Sequence, residues 1–181
     1  MTRDLFVKEL GDLQTDVVRM AALAGAAIHA DVEALQDWDA DRAERLIKDD
    51  DRIDALHLAL EERCMRLLAR QQPMASDLRT IAAVFAITID LERLADHAEG
   101  ISRCVNRLAG QPLLKPLIDI PRMEALVQEM LHEAMDAFVR RDAALGPRGI
   151  PAYASLAEMI YQERCADMEQ RIRLLAAYGA R

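Results

Sequence analysis

Leu46, Ile53, Leu60 and Leu67 recur every seven residues, with Leu56 and Cys64 filling the same seam. A seven-residue apolar repeat is close to two helical turns, so it places one stripe of side chains along a helix and forces that stripe against a partner. No strand uses such a period, since side chains of a strand alternate every two residues. The chain therefore reads as all-α, and its other segments obey the same rule.

A first helix is expected over about residues 3–36, where Leu10, Leu13, Val17, Met20, Ala24 and Ala27 step by threes and fours. Ala21 to Ala27 is nearly all small, which permits a neighbouring helix to approach closely. Asp39 or Asp41 is the expected cap of the second helix, which carries the heptads to about Arg70. Gln71-Gln72-Pro73 breaks the pattern, and Pro73 or Ser76 is expected to open the third helix. That helix carries Ile81, Phe85, Thr88, Leu91, Ala95, Ala98, Ile101, Val105 and Leu108, and stops at Gly110. A fourth follows with Met123, Val127, Met130, Leu131, Ala134 and Phe138. A fifth is expected over about 152–177, after the Gly146-Pro147-Arg148-Gly149-Ile150-Pro151 break. An aromatic content of only 4% agrees with helices rich in Ala, Leu, Met, Glu and Arg.

The fourth helix repeats the first. Val17, Met20, Ala24 and Ala27 match Val127, Met130, Ala134 and Ala137 at a constant offset, and Ile47, Asp50 and Asp54 match Ile160, Glu163 and Asp167 after a three-residue slip. Nothing remains to repeat the third helix. The expected organisation is a three-helix bundle over 1–110, a proline-marked connector over 111–121 (Pro112, Pro116, Pro121), and an incomplete second repeat of two helices over 122–181. These form tandem antiparallel bundles. The apolar surface left open on helices four and five is expected to be covered by dimerisation or by a partner.

A net charge of −8 argues against nucleic-acid binding and against adsorption on anionic lipid, since both need a basic surface. Cys64, Cys104 and Cys165 are odd in number and widely spaced, so they build neither a disulfide framework nor a zinc motif. The N-terminus has no signal-peptide pattern, and the apolar run Met20 to Ala27 is too short to cross a bilayer. A cytoplasmic address without direct membrane insertion is expected.

Three acid pairs stand four residues apart: Asp50 with Asp54, Glu92 with Asp96, and Glu163 with Asp167. Acids at that spacing share a helix face and repel, which a bound cation would reverse. Two such pairs on neighbouring antiparallel helices would offer the oxygen donors that hard metals prefer. The plain alternative is a solvated charged face, with Arg52 and Arg93 as salt-bridge partners. Glu129-x-x-His132 has the spacing of a di-iron carboxylate motif, but its nearest second copy is Asp54-x-x-His57. His29 and His97 stand singly. No glycine-rich phosphate loop, nucleophile elbow or Cys/His pair supports catalysis, so the chain reads as a non-enzyme. The di-iron carboxylate enzyme and a plain helical oligomerisation module are the alternatives.

Pro73-Met74-Ala75-Ser76-Asp77-Leu78-Arg79, then Asp90-Leu91-Glu92-Arg93-Leu94-Ala95-Asp96-His97-Ala98, resembles the pattern P-x-A-x-D-L-R … D-L-E-R-I-G-D-H-A of the PhoU family. Ile47 to Asp54 resembles the family's D-x-x-I-D element. The match is dense over about residues 5–108 and weaker over 121–175, and Ala95 stands where the family has glycine. The resemblance implies metal ligation by Asp50, Asp54, Glu92 and Asp96, with a weaker site at Glu163 and Asp167. Iron, zinc, manganese or magnesium would serve, with no organic cofactor. It also implies a homodimeric adaptor between a phosphate ABC transporter ATPase and a sensor histidine kinase, holding starvation signalling off when phosphate is plentiful.

Overall fold

The computed structural model describes residues 3–70, 73–109, 111 and 117–141, and every regular element among them is a helix. Helix α1 spans Arg3–Asp37, α2 Ala40–Asp49, α3 Asp51–Arg70, α4 Ala75–Leu108 and α5 Asp119–Arg140. Expectations for the fifth helix, and for Glu163 and Asp167, lie outside the described residues.

The heptad stripe is buried at Ile53, Leu60, Cys64 and Leu67, and half-buried at Leu46 and Leu56. It faces α1, whose Leu10, Leu13, Val17, Met20 and Ala24 are all buried. The expected single second helix, however, is two. At Asp50 the ladder tightens: the Ile53 amide donates to the Asp50 carbonyl at 2.8 Å, while the Asp54 amide reaches it only at 3.4 Å. An i→i−3 bond inside a helix marks local strain or a hinge. Asp50 and Asp54, four residues apart across this point, are like charges on one helix face and repel.

The ends of the helices follow local chemistry. Asp39 caps α2, its Oδ1 accepting from the Arg42 amide at 2.8 Å. Trp38, between α1 and α2, sits at φ 57°, an uncommon conformation for a bulky residue, and its ring packs against the core. Neither Pro73 nor Ser76 caps α4. Met74 does so in extended conformation with no side-chain bond, and its carbonyl receives the amides of Asp77 and Leu78. The fourth expected helix begins earlier than expected, at Asp119. Pro121 therefore lies in the first turn of α5, where its missing N–H has no carbonyl to bond.

Helix α1 packs on α2, α3, α4 and α5, and α4 packs on α1, α2 and α3. One continuous apolar cluster includes residues of all five, among them Ile120, Val127, Leu131 and Ala134 of α5. The small-residue stretch of α1 meets α5 directly. At Gly25 an added Cβ would lie 2.9 Å from Gln128 Oε1 and 3.1 Å from a Leu131 methyl. Gln128 Nε2 donates to the Gly25 carbonyl at 2.7 Å, and its side chain is held by Glu124 at 3.1 Å. Ion pairs tie the other helices to α1: Arg63 of α3 to Asp16, Arg42 of α2 to Glu33, and Arg3 to Asp77 of α4.

Candidate metal centre

Asp50 lies at the α2–α3 interruption, Asp54 one turn into α3, and Asp96 at the facing level of α4. One carboxylate oxygen from each lies within 4.8 Å of the other two. A hard cation binds oxygens at about 2.0–2.6 Å, so opposite ligands stand roughly 4–5 Å apart. The three aspartates fit that span. Asp54 and Asp96 are exposed and Asp50 is half-buried, which leaves room for water to complete a coordination shell. The donor set is all carboxylate, matching magnesium, manganese or iron better than zinc, which takes nitrogen and sulfur.

Glu92 borders this trio rather than joining it. Its carboxyl is raised above the usual range by burial and by the Asp96 charge, with His57 opposing. Burial and then the neighbouring Asp54 charge push the Asp50 carboxyl up to about 6, with Glu99 and Asp96 adding to the effect. Burial, Asp54 and Glu99 raise Asp96 in the same direction. Like charges crowded together and partly withdrawn from water are the electrostatic condition a cation relieves.

The structure adds residues that the acid-pair spacing did not single out. Asp31 of α1 is only 3% exposed and accepts from the buried Ser102 hydroxyl of α4. Burial pushes its carboxyl up to about 7, with Asp50 and Glu99 adding and the Ser102 bond and Arg42 opposing. A signal was present: Asp31 stands in the α1 stripe of Ala24, Ile28 and Leu35, where an apolar residue is expected. Glu99 continues the Glu92–Asp96 ladder by one turn and pairs with Arg103 at 2.6 Å.

The di-iron arrangement is not assembled by the described residues. Glu129 and His132 are exposed on α5, whereas Asp54 and His57 belong to α3; a di-iron bundle turns its ligands inward. His57 instead borders Glu61, at 3.7 Å, and influences Glu92. His29 bridges α1 and α5, with Nδ1 3.3 Å from Glu124 and Nε2 3.5 Å from Glu33.

Fold and site together define an all-helical protein without a described catalytic constellation, carrying an open carboxylate cluster where two helices cross a third. Comparison with known proteins gives that class its place. Residues 17–105 match the PhoU domain. The chain is 38% identical to the Phosphate-specific transport system accessory protein PhoU homolog of Aquifex aeolicus over 155 residues, covering 86% of this chain and 70% of that one. It is 31% identical to the Phosphate-specific transport system accessory protein PhoU of Escherichia coli K12, covering 76% and 57%. The crystal structure of PhoU from Pseudomonas aeruginosa superposes with a TM-score of 0.71 at 31% identity, covering 96% of this chain and 79% of that one. The phosphate transport system regulatory protein PhoU from Streptococcus pneumoniae superposes with the same TM-score at 29% identity, covering 87% and 70%. The chain belongs to the PhoU family. It spans 70%, 65% and 58% of the lengths of its relatives from Aquifex aeolicus, Clostridium acetobutylicum and Pseudomonas aeruginosa.

Proposed function

We propose that this chain is a cytoplasmic, non-enzymatic regulator of phosphate uptake. In this reading it is an adaptor between a phosphate ABC transporter ATPase and a sensor histidine kinase, and it holds the starvation response off while phosphate is plentiful. Its relatives are named as accessory or regulatory proteins of the phosphate transport system, and that family membership is the observation that carries the reading. Two features are compatible with it. No described helix is long and apolar enough to cross a membrane. Many exposed positions of the described helices are charged, suited to contacts between proteins.

Asp50, Asp54 and Asp96, with Glu92 beside them, would hold a divalent or trivalent cation. Such an ion would supply charge neutralisation, converting a repulsive face into a fixed one. The chain's own residues set the geometry: the interruption at Asp50 presents one carboxylate, and the antiparallel run of α3 and α4 presents the others.

The test is reporter activity of a phosphate-starvation gene, such as alkaline phosphatase, in host cells grown with abundant phosphate. Deletion is expected to raise activity, and this chain alone is expected to restore repression. Unchanged activity on deletion would refute the reading.

A further inference from the structure

Exposed apolar side chains border the groove that holds the carboxylate trio. Leu58 and Met65 of α3 are 63% and 59% exposed, and Leu78 and Ile89 of α4 are 47% and 45% exposed. At about 100° per residue, Leu58 and Met65 fall within about 40° of Asp54 round α3. Leu78, half-buried Phe85 and Ile89 fall within about 20° of Asp96 round α4. Asp54 and Asp96 meet across the two helices, so both lines of side chains flank one groove. Because α3 and α4 run antiparallel, Leu58 is level with Glu92, Glu61 with Ile89, and Met65 with Phe85. From Asp96 to Leu78 the groove extends about 27 Å at 1.5 Å per residue.

The polar side chains along this stretch are mostly acids. Glu61 lies within about 20° of Asp54, and Glu92 within about 40° of Asp96, so both join the trio on the groove. Arg93 stands at its margin, 4.0 Å from Asp90, and His57 beside Glu61. A lone exposed leucine or methionine is ordinary. An apolar strip that alternates with carboxylates is instead complementary to an amphipathic helix whose apolar face is edged with cations. The same charge counts against other occupants. A second copy brings a net charge of −8, and anionic lipid sets phosphate against carboxylate.

We propose that the α3–α4 groove binds a basic amphipathic helix of a partner protein. Its apolar face lies on Leu58, Met65, Phe85 and Ile89, and its lysines or arginines meet Asp54, Glu61, Glu92 and Asp96. The inference deepens the adaptor reading and rests on it for the existence of a protein partner. Its test is made in vitro, so its failure is distinct from a failure of the reporter assay in cells.

The probe is a labelled peptide of about 18 residues, long enough as a helix to span the groove, with leucines at helical spacing and lysines elsewhere. It is titrated into the full chain with chelator present and followed by fluorescence anisotropy. One comparator carries glutamate for lysine, and a second has the first peptide's composition in scrambled order. Wild type is expected to bind the probe at least about tenfold tighter than either comparator. Leu58→Ser/Ile89→Ser and Asp54→Asn/Asp96→Asn are each expected to weaken binding at least about fivefold. Asp4→Asn/Asp12→Asn removes the same charge from α1 and is expected to change binding less than about twofold. All six positions are exposed, and circular dichroism checks that helix content is kept. A comparator that binds as tightly, a groove variant that binds like wild type, or an equal loss in the α1 variant would each overturn the proposal. So would an unbound probe together with self-association that Leu58→Ser/Ile89→Ser abolishes, which would give the groove to a second copy.

Discussion

Replacing Asp31 by asparagine should stabilise the protein, and by an amount that depends on pH. The Asp31 carboxyl is pushed from an ordinary value of 3.8 up to about 7, chiefly by burial between α1 and α4. Below the lower value both folded and unfolded chains carry its proton. Between the two values only the folded chain does, so stability falls as pH rises through that window and the loss is complete above about pH 7. At about 1.4 kcal/mol per pH unit the full loss is about 4 kcal/mol. Asparagine stays neutral, keeps an oxygen to accept from Ser102, and turns an amide donor toward an acidic neighbourhood. The Asp31→Asn advantage should therefore grow by about 3 kcal/mol between pH 5 and pH 8. Urea unfolding of both proteins in chelator at several pH values measures it. Asp50 titrates in both proteins, so to first order it cancels in the difference. An advantage that is flat with pH, or an asparagine variant less stable at pH 8, would refute the reasoning.

Other consequences are as direct. Manganese should raise the thermal midpoint of wild type and leave Asp54→Asn/Asp96→Asn unmoved, since binding to the folded state alone stabilises it by mass action. Equal responses from the two proteins would rule out the trio as the site. Gly25→Leu should lower stability by roughly 1–3 kcal/mol despite leucine's better helix propensity, because the new side chain meets Gln128 and Leu131 across the α1–α5 contact; an unchanged midpoint would count against that contact. Cys64 is fully buried and its thiol is pushed up to about 11, chiefly by burial, so alkylation mapped by mass spectrometry should find it protected until the chain unfolds. Labelling in the native protein would mean that α3 opens away from α1.

How much of this was legible in the sequence depends on which signal each residue carried. The heptads of α3, the stripe of α1 and the cap at Asp39 are one-dimensional patterns, and burial at Ile53, Leu60 and Leu67 follows from the first of them. The interruption at Asp50 was not legible, because the apolar period runs through it unbroken; only the backbone bonds reveal that the ladder shifts. Asp50, Asp54 and Asp96 could be paired along each helix by spacing, but their convergence depends on how α3 lies against α4. Glu92, one turn away on the same face, falls beside the cluster for that reason. Asp31 and Ser102 come from distant positions and meet only because α1 and α4 pack closely, so no local pattern pairs them.

The repeat relation between α1 and α5 has a mechanical consequence. The apolar face of α5 is not stored in a separate core but shares the one that α1 builds with α2, α3 and α4. Peeling α5 away would uncover Gly25 in the middle of the longest described helix. Amides deep in α5 and in α1 should then exchange with solvent through the same opening event, so that the two helices behave as one cooperative unit. The α1–α5 contact, on that account, ties the two helices into a single folding event.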